Sequence, residues 1–209
     1  MTHIGHSGKM FVMRVFIAVL VLIFSLQTLS QADDIRDFQI EGMSIGDSLL
    51  DYFSEEEILN KKEDWFNNNE FSVSSDFKLP SFKTYDSVQI GYKTEDKKFT
   101  IMGIEGYIYF RDKDKDIKNC YKKQNKVIKE LSDLFPNTKK GKKKTFKHND
   151  PTTNHIITNI SFYFDPADQH GDKVMVACVN RKDHDRYNNL VIILRSEEYA
   201  KFIKDKAYK

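Results

Sequence analysis

The chain has 209 residues, 40% hydrophobic and 31% charged, with 16 Phe, 10 Tyr, one Trp and two Cys. That content of aromatics argues against a disordered chain, the charge excludes a multi-span membrane protein, and two cysteines exclude a disulfide-dense scaffold. The net charge of +2 rests on Lys9 and Arg14, which lie in an acid-free segment expected to be removed. What remains is neutral, which disfavours a generally basic nucleic-acid binder.

That segment opens the chain. Arg14 is followed by the apolar run Val15–Leu26 and by Gln27-Thr-Leu-Ser-Gln-Ala32. A basic region, an apolar core and Ser-x-Ala form the pattern of an export signal, with cleavage expected after Ala32. The run is about twelve residues, where a spanning helix needs roughly twenty. Residues 1–32 are therefore predicted to be a signal peptide and 33–209 a single exported domain. Met10 and Met13 offer alternative starts to Met1.

Ser44 with Asp47 predicts a capped short helix with Ile45, Leu49, Leu50 and Phe53 on its apolar face. Ser54 with Glu57 repeats the signature and predicts a second, from Glu55 to about Lys62. Val88, Ile90 and Tyr92 alternate with Gln89, Gly91 and Lys93, the pattern of a half-buried strand. The turn Thr94–Lys97 then leads into the apolar run Lys98–Phe110, predicting a hairpin, with Gly103 and Gly106 marking a bulge or bend.

The clearest helix runs from a cap at Asp114 or Asp116 to Phe135, before Pro136. Ile117, Cys120, Tyr121, Gln124, Val127, Ile128, Leu131, Leu134 and Phe135 recur at three- and four-residue steps, and only Gln124 is polar. Three strands are expected beyond it, around Ile156–Phe164, Val174–Cys178 and Leu190–Leu194. A final helix should follow Ser196, from Glu197 to about Lys206. Strands joined by short turns make an antiparallel sheet. The predicted class is α+β, with the long helix over one face and short helices at the N- and C-terminal ends.

Several motifs invite chemistry. Gly46-Asp47-Ser48-Leu49 spells the signature of the GDSL-type esterases, making Ser48 a candidate nucleophile. That family's downstream Asp-x-x-His is absent: Thr145, Thr152, Ala167 and Arg181 stand three residues before His148, His155, His170 and His184. A serine without a positioned base is a weak nucleophile. Gly42-Met-Ser-Ile-Gly46 also fits Gly-x-Ser-x-Gly, but a nucleophile elbow needs a strand before it inside an α/β sheet. Asp112-Lys-Asp-Lys-Asp116 begins like an EF-hand loop, yet Ile117 replaces its glycine and Lys123 its twelfth ligand.

Asp165, Asp168, His170 and Asp172 could hold a cation, as could Asp183-His184-Asp185 or His148, Asp150 and His155; turns account for the same residues. Lys139–Lys147 carries six lysines and is expected to be a solvated loop, because lysine greatly outnumbers arginine throughout, the bias of an AT-rich genome. Asn159-Ile-Ser161 matches a glycosylation sequon.

Gly42-Met-Ser-Ile-Gly-Asp-Ser-Leu-Leu-Asp-Tyr-Phe-Ser-Glu-Glu-Glu57, Tyr85-Asp-Ser-Val-Gln89, Cys120-Tyr-Lys122 and Ala207-Tyr208 resemble a group of small exported proteins of marine alphaproteobacteria. The resemblance implies an exported compartment and a shared fold and brings no catalytic residues. Gly42-Met-Ser44 is also faintly similar to the small outer-membrane assembly lipoproteins.

The expectation from these residues is a periplasmic or secreted protein that binds a small ligand or envelope protein, without catalysis, cofactor, nucleic acid or a lasting membrane span. A GDSL-like esterase using Ser48 and an envelope-assembly or structural protein are the alternatives. Cys120 lies on the helix stripe and Cys178 on the strand face beneath it, so an oxidising compartment should join them in a disulfide.

Overall fold

The computed structural model describes residues 34–111, 115–148, 154–165, 171–181 and 187–209. The proposed signal segment, Asp112, Asp114, Asp150, Asp168, His170 and the Asp183–Asp185 cluster lie outside them. Two single 3-10 turns, Ile35–Asp37 and Leu49–Asp51, come first. They are followed by α1 (Glu55–Asn60), β1 (Lys62–Glu63), β2 (Phe71–Phe77), β3 (Ser87–Lys93) and β4 (Ile101–Phe110). Then come α2 (Ile117–Leu134), β5 (Lys139–Lys140), β6 (Lys144–Lys147), β7 (Ile156–Tyr163), β8 (Lys173–Asn180), β9 (Asn188–Arg195) and α3 (Glu197–Asp205).

The strands form one antiparallel sheet in the order β1-β2-β3-β4-β9-β8-β7-β5, with β6 also paired to β7. Two meanders, β1–β4 and β7–β9, are joined where β9 pairs β4 from Gly103↔Arg195 to Phe110↔Asn188. This is the expected α+β class. Among the described residues no helix is long and apolar enough to cross a membrane.

Alternation sorts the strands' side chains. Val88, Ile90, Ile104, Leu190, Ile192, Leu194, Val174, Val176 and Phe162 point to one face and form the main core. Helix α2 covers that face through Cys120, Ile128 and Leu131, and the N-terminal segment covers its β2–β4 side through Ile40, Met43 and Leu49. Asp116 caps α2, its side chain accepting from the Lys118 amide, and Phe135 ends it before Pro136. Gln124 is fully buried; its Nε2 donates to the carbonyls of Thr158 at 2.8 Å and Val176 at 3.0 Å. The polar break in the stripe is thus a clamp onto β7 and β8. Cys120 and Cys178 are joined as a disulfide, their Cα atoms 5.9 Å apart.

Three expectations need correction. No helix begins at Ser44. Asp47 Oδ2 accepts from the Ser44 amide at 2.8 Å, but Gly46 sits at φ 96°, outside the helical region, and the chain turns instead. Leu50, placed on the apolar face, is exposed, while Ile45, Leu49 and Phe53 are buried as expected. The lysine-rich stretch is not a loop: β5 and β6 pair along β7, satisfying backbone groups of that strand. Its lysines stay exposed, where charged side chains discourage pairing with another chain. Strand β2 was not anticipated. Ser72 and Ser74 occupy buried positions, and a register break with Asp76 at φ 56° switches Phe77 from the face of Phe71 and Val73 into the main core. Elsewhere α1 and α3 begin at the expected caps, Ser54 and Ser196.

The hairpin glycines have a packing reason. Gly91 and Gly103 face each other across β3 and β4, and the Tyr199 ring from α3 lies on both. A Cβ on Gly103 would sit 2.4 Å from a Tyr199 ring carbon. The register breaks beside this pair, between Gly91 and Tyr92. Gly103→Ala is expected to cost about 1–3 kcal/mol by overpacking, measured as a lower urea midpoint at unchanged slope.

The N-terminal segment is tied down by Glu41, whose carboxylate accepts from the amides of Lys83, Thr84 and Tyr85 at 2.7–2.9 Å. Partial burial raises this carboxyl, but the amides more than offset it and its pKa lies below the ordinary value. Asp34 beside Arg36, Glu57 on the Ser54 amide and Asp96 on Thr100 are lowered as well. These groups favour folding in their charged form, so their contribution is complete above the ordinary 4.5 of a glutamate and is lost as pH falls through the lowered values. Asp172, which burial pushes up, works in the opposite direction. Urea unfolding across pH 3–7 should show stability level above about pH 5 and dropping steadily below the reference carboxylate values.

Candidate functional site: the open face of the sheet

The second sheet face is covered only in part. Helix α3 occupies the β2–β4 end, packing Tyr199 and Phe202 on Phe71 and Val73. Beyond it Val191, Ile193 and Ala177 form a separate apolar floor, with Tyr107, Ile157, Met175 and Val179 against it. No helix packs on this floor among the described residues. A cavity of 490 Å³ lies over it and a second, of 530 Å³, lies beside it against α3; both are lined by Trp65, Glu105, Tyr107, His148 and Arg195. Trp65 comes from the connection between β1 and β2, is 45% exposed, and is the only tryptophan in the chain.

A polar triad stands at the α3 end of this floor. Alternation places Gln89, Glu105, Tyr107 and Arg195 on one face of three neighbouring strands. Arg195 Nη2 donates to Glu105 Oε1 at 2.9 Å, and the Tyr107 hydroxyl donates to Glu105 Oε2 at 2.7 Å. Gln89 Oε1 lies 3.3 Å from the same hydroxyl. The ion-pair side chains are only 18% and 16% exposed. Burial would lower the Arg195 pKa, but Glu105 outweighs it and holds the guanidinium charged. Burial, reinforced by Glu105, pushes the Tyr107 hydroxyl well above its ordinary value, so it remains a donor. Arg195 Nε, shielded from solvent, has no hydrogen-bond partner among the described residues, and neither amide atom of Asn189 on the same strand has one. The triad therefore holds donor capacity that the described residues do not use.

At the opposite end of the floor a third cavity, 560 Å³, is lined by Lys139, Lys140, Lys142, Lys144 and Lys173. It meets the floor at Phe146, Asn159 and Met175. The face thus runs from a cationic edge, across an apolar floor, to the Glu105–Arg195 pair.

The residues singled out in the sequence fall elsewhere. Ser48 bridges to Thr100, and its Oγ donates to the Lys98 carbonyl at 2.8 Å rather than to a base. Ser48→Ala should remove this tie, lower stability by about 1 kcal/mol in urea unfolding and leave any ester hydrolysis unchanged. Asp172 Oδ1 accepts from the Glu197 amide at 2.7 Å, so it supports the start of α3. The Phe164 amide donates to the Asp172 carbonyl at 3.0 Å. The His148 and His155 rings are 6.2 Å apart on paired backbone. Among the described residues no three His, Cys, Asp or Glu side chains are grouped to hold a metal.

Glu105, Tyr107, Arg195 and Trp65 were not singled out by motif. A signal was present: Glu105 is the one charged residue in the run Ile101–Phe110. No protein-family model matches the chain, and no curated protein or solved structure is significantly similar to it.

Proposed function

We propose that this protein is an exported, non-catalytic binding domain of the periplasm whose ligand lies on the open sheet face. The observation that carries the reading is the Glu105–Arg195 pair. A buried ion pair contributes little net stability compared with well-packed apolar residues. Among the described residues this one has a desolvated Arg Nε with no hydrogen-bond partner, beside an apolar floor that no helix covers. Apolar walls with a few convergent polar groups are the usual makeup of a small-molecule site. The ligand class that fits has an apolar or aromatic body and a hydrogen-bond acceptor for Arg195. Export is supported by the basic, apolar and Ser-x-Ala pattern before Asp33 and by the oxidised cysteine pair.

Trp65 provides the test, because it lines both cavities of this face. The probe is 8-anilinonaphthalene-1-sulfonate, an aromatic anion titrated against the purified protein with excitation at tryptophan. Energy transfer from Trp65 should saturate at one dye per chain and be lost in the paired variant Glu105→Gln with Arg195→Met. No transfer, or transfer unchanged in that variant, overturns the reading. Intact mass of the exported product should start at or near Asp33; a full-length, membrane-integrated product overturns the compartment.

A further inference from the structure

The two covers of the main sheet face touch where Phe38 stacks on Phe135, ring centroids 6.1 Å apart. Helix α2 lies over β8 and β9, the N-terminal segment lies over β2–β4, and a groove of 680 Å³ runs between them. Its floor is Ile108, Phe110 and Ile192, and its apolar wall on α2 is Val127, Leu131 and Leu134. From Asn119 to Leu134 it follows the helix for about 22 Å, at roughly 1.5 Å per residue.

The groove is asymmetric in charge. Lys122, Lys123 and Lys126 line it along the N-terminal half of α2, whereas the C-terminal half contributes Glu130, paired to Lys126 at 3.7 Å, and then Leu131 and Leu134. Leu134 is 45% exposed although it continues the buried stripe. An occupant that satisfies both halves has an anionic head at the lysines and an unbranched apolar tail toward Leu134. The volume lies within the roughly 300–1,000 Å³ typical of small-ligand pockets.

We propose that this groove binds a free, single-chain fatty carboxylate, its carboxylate at Lys122, Lys123 and Lys126 and its acyl chain on Ile108, Phe110 and Leu131. The site is independent of the one on the open face, because it lies on the other side of the sheet. Burial of the chain supplies the affinity. Exposed lysines contribute little per pair and are screened by salt, so they orient the ligand and set its preference.

The experiment is calorimetric titration of the purified, delipidated protein with dodecanoate, with dodecanol as the uncharged comparison and phosphatidylglycerol vesicles as the membrane comparison. One dodecanoate should bind per chain, tighter than dodecanol by about fivefold at low ionic strength, the equivalent of roughly 1 kcal/mol. The triple variant K122Q/K123Q/K126Q should remove that fivefold preference and leave dodecanol binding unchanged. Val127→Glu should weaken dodecanoate at least tenfold. Leu134→Glu, at an exposed position, should weaken longer carboxylates such as hexadecanoate more than dodecanoate, and serves if Val127→Glu does not fold.

Several results overturn the proposal: no saturable dodecanoate binding, equal binding of dodecanol, full binding by the folded Glu variants, or binding to vesicles alone. Competition by dodecanoate against the dye signal from Trp65 would place the ligand on the open face and overturn the groove assignment while leaving that face's role intact.

Discussion

Replacing both cysteines, Cys120→Ala with Cys178→Ala, will lower the unfolding free energy by about 4 kcal/mol. The bond closes a loop of 58 residues. In the chain-entropy model, a loop of that length restricts the unfolded chain by about 4 kcal/mol. Both side chains are fully buried, so the alanines also forfeit packing against the sheet. Against a typical domain stability of about 5–15 kcal/mol this is the largest single dependence we expect. Urea unfolding with and without reductant measures it, and the double variant should be insensitive to reductant. Alkylation of denatured, unreduced protein should label neither cysteine; labelling of both would refute the bond.

The second large effect concerns the buried ion pair. Arg195→Met will cost about 3–5 kcal/mol, because it leaves Glu105 charged and shielded with the Tyr107 hydroxyl as its remaining side-chain donor. Adding Glu105→Gln should restore most of that loss, since an uncharged amide can still accept from Tyr107. A double-mutant cycle in urea gives the coupling directly. If the single and double variants are equally unstable, the pair holds the sheet together and is not a reserve of binding chemistry.

How much of this was legible in the residues varies with the kind of signal. Period and caps carried far: the α2 stripe, the alternation in β3 and the capping box at Ser54 describe local geometry, and local geometry formed. The disulfide was legible because one cysteine sat on the helix stripe and the other on the strand face beneath it. Near Ser44 the same capping signature failed: Gly46 adopts a left-handed backbone, its amide donates to the Ile101 carbonyl, and Ile45 and Leu49 are buried to either side. β2 was hidden because its serines occupy buried positions and bond to neighbours such as the Ile58 carbonyl. The candidate site was the least visible part. Gln89, Glu105, Tyr107 and Arg195 converge through the pairing of β3, β4 and β9; the β3–β4 hairpin is legible, but no short pattern marks the pairing of β4 with the distant β9.

That distant pairing governs how the chain can reach its fold. Phe110 and Asn188, the partners at one end of the β4–β9 ladder, are separated by roughly eighty residues of unfolded chain. The cysteines stand about ten residues inside each end of that span. Once they are joined, the path from β4 to β9 runs through the crosslink and shortens to about twenty residues, which reduces the closure entropy by about 1 kcal/mol. Contacts between sequence-distant segments are what make a sheet of this kind slow to assemble. The oxidised chain should therefore refold several-fold faster than the reduced one, and the order of events matters: crosslink first, then the seam between the two meanders.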